Sequence, residues 1–471
     1  PEAGHSGAIM PDFDEIKQKL NDRMKSTPPV RLIVVSFFLL IIVGTLLLAL
    51  PVSHKEESVS LLDSFFTATS ATCVTGLAVA DTFHHWSIFG QGVILCLIQL
   101  GGLGLATFAI GFTLLVRRKL GIREILIVSE SSGGNMLNMA FLLRLVLGFT
   151  FACEAVGAAI LMLRFVPLYG TDGIWPAIFV AVSAYCNAGF DILGFVSGNS
   201  SISAFAGDPL VCLTISALII IGGLGFVVVQ DIYESKIRPR FHHKDAGKLN
   251  FHSQICLRVT AVLLIIGTLA FLVLEFDNSM KDLNFFEKLN AAFFQSTNTR
   301  TAGFASVNIA EENEFTKIIS IVLMFIGGCP GSTAGGIKVT TFVVLLITVI
   351  STIRGREESV ILKHRFATGL VYKSLTVVSL AIVLIFVDAG IIAALNPDVS
   401  MLDAVFEAVS AFGTVGLSAN VTPQLDWISK LLLCFTMFVG RVGPISFGLS
   451  IMMRHKRGGD SILPEGRMII G

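Results

Sequence analysis

The chain repeats itself four times. The segments "TATSATCVTGLAV", "VAVSAYCNAGFDI", "FQSTNTRTAGFAS" and "EAVSAFGTVGLSA" carry glycines at 76, 189, 303 and 416, so successive copies are 113, 114 and 113 residues apart. Ten residues before each glycine stands a phenylalanine: Phe66, Phe179, Phe293 and Phe406. A second glycine element follows each after 24 to 33 residues: "GGLG" at Gly101, "GGLG" at Gly222, "GGCPG" at Gly327 and "GRVG" at Gly440. Three aligned features in one order, four times over, define a structural repeat, and a fixed period constrains architecture before any local reading does.

Each copy has the same hydropathy profile. A long apolar run opens it: 32–50, 141–163, 259–276 and 374–393. A mildly apolar stretch of about a dozen residues leads to the repeated glycine, too short to cross a bilayer core that needs about 20. A second apolar run closes the unit: 88–116, 210–233, 318–350 and 428–453. The chain is 53% hydrophobic, 14% charged and has a mean hydropathy of +0.78, where a soluble domain carries about 25% charge. These features predict an all-α polytopic membrane protein: span, pore helix, extended loop, span, four times around a pseudo-fourfold axis, with eight spans and four re-entrant half-helices. The repeats are expected at 31–120, 135–240, 250–355 (with an intramembrane loop at 327–341) and 366–455. Cytoplasmic segments flank them at 10–30 and 456–471. The first nine residues read as an expression remnant.

Lysine and arginine set the orientation. They cluster before the first span (Lys17, Lys19, Arg23, Lys25), between repeats (117–123, 236–244, 354–365) and after the last span (Arg454, Lys456, Arg457, Arg467). The positive-inside rule then places both termini in the cytoplasm of a cell-membrane protein. Net charge is zero, so nothing points to nucleic acid. The eight cysteines form no CxxC pair and mostly lie in apolar runs, as small buried hydrophobes do. No nucleophile–base or metal constellation marks an enzyme.

Non-helical backbone at membrane depth is tolerated where protein shields it or where it lines a watery cavity. Four such loops around one axis would present rings of carbonyl oxygens that replace a cation's hydration shell. The ring-forming positions are Val74, Thr75 and Gly76; Asn187, Ala188 and Gly189; Thr301, Ala302 and Gly303; and Thr414, Val415 and Gly416. All are uncharged, as expected if main chain binds the ion. Arg300, three before its glycine, must face away from the ion or repel it.

The four filter-like glycine segments, the span–pore–span repeats and "GCPGSTAGGIK" together resemble the Trk/Ktr/HKT superfamily of potassium transporters. In length and lack of extra spans the chain looks most like the membrane subunit of the bacterial Ktr systems. The resemblance covers essentially everything from Met10 onward. It implies potassium as the transported substrate, no cofactor in this chain, a homodimer in the lipid bilayer, and a cytoplasmic octameric KtrA-type ring that binds ATP or ADP. Glycine in all four filters implies potassium preference, whereas serine in the first goes with sodium. A sodium-coupled or sodium-permeable transporter of the same fold stays open.

The stretch "GCPGSTAGGIKVTT" nearly spells a phosphate-binding loop, but Ile337 separates Gly336 from Lys338 and Val339 separates Lys338 from Thr340. A phosphate loop needs glycine and lysine adjacent, between a strand and a helix. An interrupted span is the better account. Pro330 and neighbouring glycines weaken a helix. By resemblance the loop lies below the filter and implies a gate built from Gly328, Pro330, Gly331, Ser332, Thr333, Gly335, Gly336 and Lys338; a passive kink is the alternative. Arg441 replaces the second glycine of its element, near the middle of the closing run. A mid-membrane charge is costly and usually faces a pore or partner. By resemblance it faces the pore, as a barrier or as an anchor for the loop's carbonyls, with a helix–helix clamp as the alternative. Glu154 and Arg144 lie in the second repeat's first span without an assigned role. Asp63 and Asp403 occupy matching pore-helix starts, where capping is the default role. His84 and His85 fit an interfacial position better than a metal site.

Overall fold

The computed structural model describes residues 29–55, 59–103, 139–197, 202–237, 247–356 and 358–444. The N-terminal segment before residue 29, the basic loop 117–123, most of 236–244 and the C-terminal tail lie outside the described residues.

The first repeat comprises α1 (Pro29–Leu48), α2 (Leu61–Cys73) and α3 (Ile88–Gly102). The second comprises α4 (Met139–Tyr169), α5 (Ile174–Tyr185), α6 (Pro209–Leu224) and α7 (Phe226–Ile232). The third comprises α8 (Phe251–Leu274), α9 (Phe285–Asn298), α10 (Glu314–Phe325) and α11 (Val339–Ile353). The fourth comprises α12 (Thr368–Leu395), α13 (Met401–Gly413) and α14 (Trp427–Val442). A two-stranded hairpin pairs Val360 with Arg365 between the last two repeats. The protein is an all-α polytopic membrane protein.

Length separates the two kinds of helix. The 24 residues of α8 and 28 of α12 rise about 36 and 42 Å, beyond the ~30 Å hydrocarbon core. Pore helices of 12 to 14 residues reach about 18–21 Å and stop inside it. Three of the four starts are capped by side chains. The side chains of Ser60 and Ser400 accept hydrogen bonds from the Asp63 and Asp403 amides, and Asn284 with Glu287 forms a reciprocal capping box. On α8 the side chains of Val262, Ile265, Ile266, Leu269 and Val273 are exposed, which suits a surface whose solvent is lipid.

Each closing helix packs on the pore helix of the next repeat: α3 on α5, α6 on α9, α10 on α13, and α14 back on α2. That cyclic order makes the four copies a ring. The marker phenylalanine is buried in three repeats, as Phe66, Phe179 and Phe406. In the third the fully buried ring is Phe294, and Phe293 is half-buried, a one-residue shift that the spacing did not reveal.

The closing runs differ from the uninterrupted spans expected in three of the repeats. The second glycine element ends the helix in all four. Helix α3 stops at Gly102, and α14 stops at Val442 before Gly443, whose φ is +89°. The axis turns by 94° between α6 and the helical segment that starts with α7 at Gly225, whose φ is +85°. The cause is backbone proximity. A Cβ on Gly101, Gly222 or Gly440 would sit 2.0 Å from the carbonyl oxygen of Thr72, Tyr185 or Phe412, each near the end of its own repeat's pore helix. No side chain fits there, and the glycines that permit the contact also weaken the helix.

Candidate functional site

The pore helices end in the same backbone conformation. Two residues before each repeated glycine the chain is left-handed, at Val74 (φ +58°), Asn187 (+59°), Thr301 (+64°) and Thr414 (+49°). The glycines follow at +94°, +70°, +79° and +93°. A left-handed non-glycine residue costs on the order of 1–3 kcal/mol and persists where its surroundings over-determine it. Here the loop amides are committed backward. Thr75 N, Ala188 N and Val415 N donate to the carbonyls of Ser70, Ser183 and Ser410 at 2.8, 2.7 and 2.8 Å. The Ser70 and Ser410 hydroxyls accept from Gly76 N and Gly416 N at 3.1 Å. With the donors used up, the loop carbonyls turn elsewhere.

They turn toward one another. A Cβ on Gly76 would lie 2.5 Å from Ala188 O, on Gly189 2.7 Å from Ala302 O, on Gly303 2.4 Å from Val415 O, and on Gly416 2.1 Å from Thr75 O. Each glycine abuts the next repeat's preceding carbonyl, and the circle closes. The four glycines and the residues just before them therefore lie against one another in a closed circle. The buried hydroxyls of Thr75, Thr301 and Thr414 find no partner among the described residues.

A cavity of about 930 Å³ opens on the side of the four glycines and the residues after them; Asp81, Asp191 and Asn308 stand in its wall. The opposite end, two and three residues before the glycines, meets the 327–338 loop. A Cβ on Gly335 would lie 2.0 Å from Thr414 Oγ1, and one on Gly336 3.2 Å from Gly413 Cα. Thr333 Oγ1 donates to Asn187 Oδ1 at 3.0 Å.

The loop is a built structure between α10 and α11. A parallel bridge joins Ile326 and Ile337 at its neck. Gly328 O accepts from Val339 N at 3.0 Å, and Cys329 N donates to Gly223 O at 3.0 Å. Gly331, with φ +70°, gives its carbonyl to Phe226 N at 3.0 Å, next to Pro330 O, which crowds Gly225. Ser332 is buried and its hydroxyl has no partner among the described residues. Lys338 Nζ turns back to Ala334 O at 2.7 Å. Arg441 crosses the bundle to this loop. Its guanidinium donates to Thr333 O and, at 2.5 Å, to Gly101 O at the end of α3. Arg441 lies in the last turn of α14.

This geometry has counterparts among known proteins. The family model described as TrkH, cation transport protein, matches residues 14–458. The chain belongs to the TrkH cation transport family. The Ktr system potassium uptake protein B of Bacillus subtilis is 36% identical over 97% of this chain and 99% of its own. The potassium/sodium uptake protein NtpJ of Enterococcus hirae is also 36% identical, over 97% and 99%. The crystal structure of the potassium transporter TrkH from Vibrio parahaemolyticus shares the fold, with a TM-score of 0.68 and 19% identity over 90% of this chain and 84% of that one. Its family makes this chain a membrane transporter and not an enzyme.

Around the site of this TrkH-family chain, several charged side chains have polar partners. Arg300 is buried, and its Nη1 donates to Thr260 O at 3.3 Å, while its own carbonyl accepts from Asn187 Nδ2 at 3.3 Å. Glu154 is buried and accepts from Cys186 Sγ at 3.9 Å. His84 pairs with Asp81 at 2.9 Å. Asp63 and Asp403 are not the caps themselves; they accept from the capping Ser60 and Ser400 hydroxyls at 2.6 and 2.8 Å and face Lys430, at 3.6 Å, and Lys317, at 2.8 Å. Those two lysines carried no sequence signal, because only the cyclic packing brings a closing helix to the following pore helix.

Proposed function

We propose that this chain conducts potassium inward across the cytoplasmic membrane. The observation that carries the reading is the closed circle of four glycines, each against the next repeat's carbonyl oxygen. A cation leaves water only where oxygen dipoles replace its hydration shell, and it passes on only where that binding is weak enough for release. Neutral main chain with a few unpartnered hydroxyls meets both demands better than carboxylates would. Val74, Thr75, Gly76, Asn187, Ala188, Gly189, Thr301, Ala302, Gly303, Thr414, Val415 and Gly416 form the filter. The 327–338 loop, with Gly328, Pro330, Gly331, Ser332, Thr333, Gly335, Gly336 and Lys338, is the gate, and Arg441 latches it. The Bacillus subtilis relative is a Ktr system protein, which supports a homodimer on a cytoplasmic KtrA-type octameric ring that binds ATP or ADP. Both termini then face the cytoplasm.

The name of the Enterococcus hirae relative, potassium/sodium uptake protein, favours one second reading, sodium-coupled or sodium-permeable uptake through the same filter. Flux into proteoliposomes with potassium or sodium as the sole permeant cation, with and without the cytoplasmic ring, separates the two. Potassium flux without sodium supports the channel-like reading. Potassium flux that requires sodium supports coupling, and flux of neither cation overturns both.

A further inference from the structure

The gate loop carries a cysteine, Cys329, between Gly328 and Pro330. It is fully buried in the same apolar cluster as Cys256 of α8. Both are free thiols, and they lie in side-chain contact. Their surroundings are those of a reactive pair. His252, Cys256 and Thr260 follow at intervals of four along α8, one helical face. His252 Nε2 is 3.6 Å from Cys256 Sγ, and Thr260 Oγ1 is 3.8 Å from Cys329 Sγ. The Arg300 guanidinium interacts electrostatically with both sulfurs while held on Thr260 O. The guanidinium beside Cys329 suits the thiolate, the form that attacks oxidants.

We propose that Cys256 and Cys329 are a reversible dithiol–disulfide site that ties the intramembrane loop to α8. The oxidant class is a small uncharged peroxide. The Cys329 thiolate attacks one peroxide oxygen; the S–O bond forms, the O–O bond breaks, and hydroxide leaves to become water with the proton the thiol gave up. The Cys256 thiol then attacks the sulfenic sulfur; the S–S bond forms, the S–O bond breaks, and the hydroxide leaves with the Cys256 proton as a second water. Two thiols are oxidised by two electrons and one peroxide is reduced to two waters. An external dithiol reverses the step by exchange. In a compartment that keeps thiols reduced, such bonds are transient and sensing in character.

The effect on transport rests on the loop being the gate. The 327–338 loop can leave the filter only if Cys329 moves, and a bond to α8 holds it. The test uses the full chain in proteoliposomes treated with hydrogen peroxide. Free thiols are then alkylated, the Cys256–Cys329 peptide pair is sought by mass spectrometry, and cation flux is read on the same sample before peroxide, after it, and after dithiothreitol. The expected result is a crosslinked peptide with a severalfold loss of flux that dithiothreitol restores. Cys256→Ser, compared with itself before treatment, should lose both responses, as should Cys329→Ser. Absence of the crosslinked peptide in the wild-type chain overturns the thiol site. A crosslink that forms while flux is unchanged leaves the chemistry standing and overturns the gate assignment. Flux lost equally in Cys256→Ser assigns the effect to another group and overturns the switch.

Discussion

Lys317 Nζ lies 2.8 Å from Asp403 Oδ1, joining the fourth residue of α10 to the first turn of α13 in the next repeat. The same place recurs around the ring. Lys430, fourth in α14, faces Asp63 of α2 at 3.6 Å. Gln91, fourth in α3, accepts from Trp175 Nε1 of α5 at 2.9 Å. Cys212, fourth in α6, and Asn290 of α9 both donate to Ala206 O, at 3.7 and 3.2 Å. Each pore helix is thus held at its start by the preceding repeat, with charged pairs on two of the four seams and neutral ones on the others.

Removing Lys317 leaves the Asp403 carboxylate, whose side chain is 23% exposed, without its cation. Lys317→Ala is expected to cost about 1–3 kcal/mol, read as a lower melting temperature of the detergent-solubilised protein. Exchanging the charges, Lys317→Asp with Asp403→Lys, should recover part of that loss. Equal loss in the single and exchanged variants would show that the pair itself does not hold the seam.

Arg441 ties the gate loop to the first repeat through the carbonyls of Thr333 and Gly101. Arg441→Gln cannot span both carbonyls and should raise flux severalfold in the absence of the cytoplasmic ring. Arg441→Lys should resemble it, because an ammonium lacks the planar fork that reaches two acceptors. Flux that remains fully dependent on the ring in both variants contradicts the latch.

Glu312, in the loop before α10, is 5% exposed and accepts from Gln295 Nε2 at 3.1 Å. Burial, and then the neighbouring Glu275, push its carboxyl up to about 8. The folded state therefore holds a proton that the unfolded chain releases near pH 4.5, and stability falls as pH rises from about 5 to about 8. Protonation also accounts for two orphaned atoms, Glu312 Oε2 and Gln295 Oε1, since an acid and an amide can pair through both edges. Glu312→Gln keeps that pairing without the proton. Its melting temperature should exceed the wild type's at pH 8, with the gap closing toward pH 5. A gap independent of pH would rule out this titration.

Much of the architecture was legible because period and hydropathy are one-dimensional signals. The glycines at 76, 189, 303 and 416 marked the four loops, and the apolar runs marked α4, α8 and α12. Breaks at Gly102, Gly225 and Gly443 were not legible. An apolar run reads the same whether its helix continues or turns by 94°, and what ends it is a carbonyl brought close by another element. The seams at Lys317 and Lys430 were hidden for the same reason, being properties of the cyclic order. For Arg300 the sequence leaves two choices, facing away from the ion or repelling it, and its side chain reaches Thr260 O.

The central claim is that four main-chain loops select the ion, with glycine required where the next carbonyl leaves no room. Gly76→Ser puts a side chain where a Cβ would lie 2.5 Å from Ala188 O, at a φ of +94°, so the ring must open or distort. The direct measurement is potassium-over-sodium flux selectivity of Gly76→Ser in proteoliposomes, beside the wild-type chain. The account predicts a marked loss of potassium preference in a protein that still conducts sodium. Wild-type selectivity in that variant would contradict it.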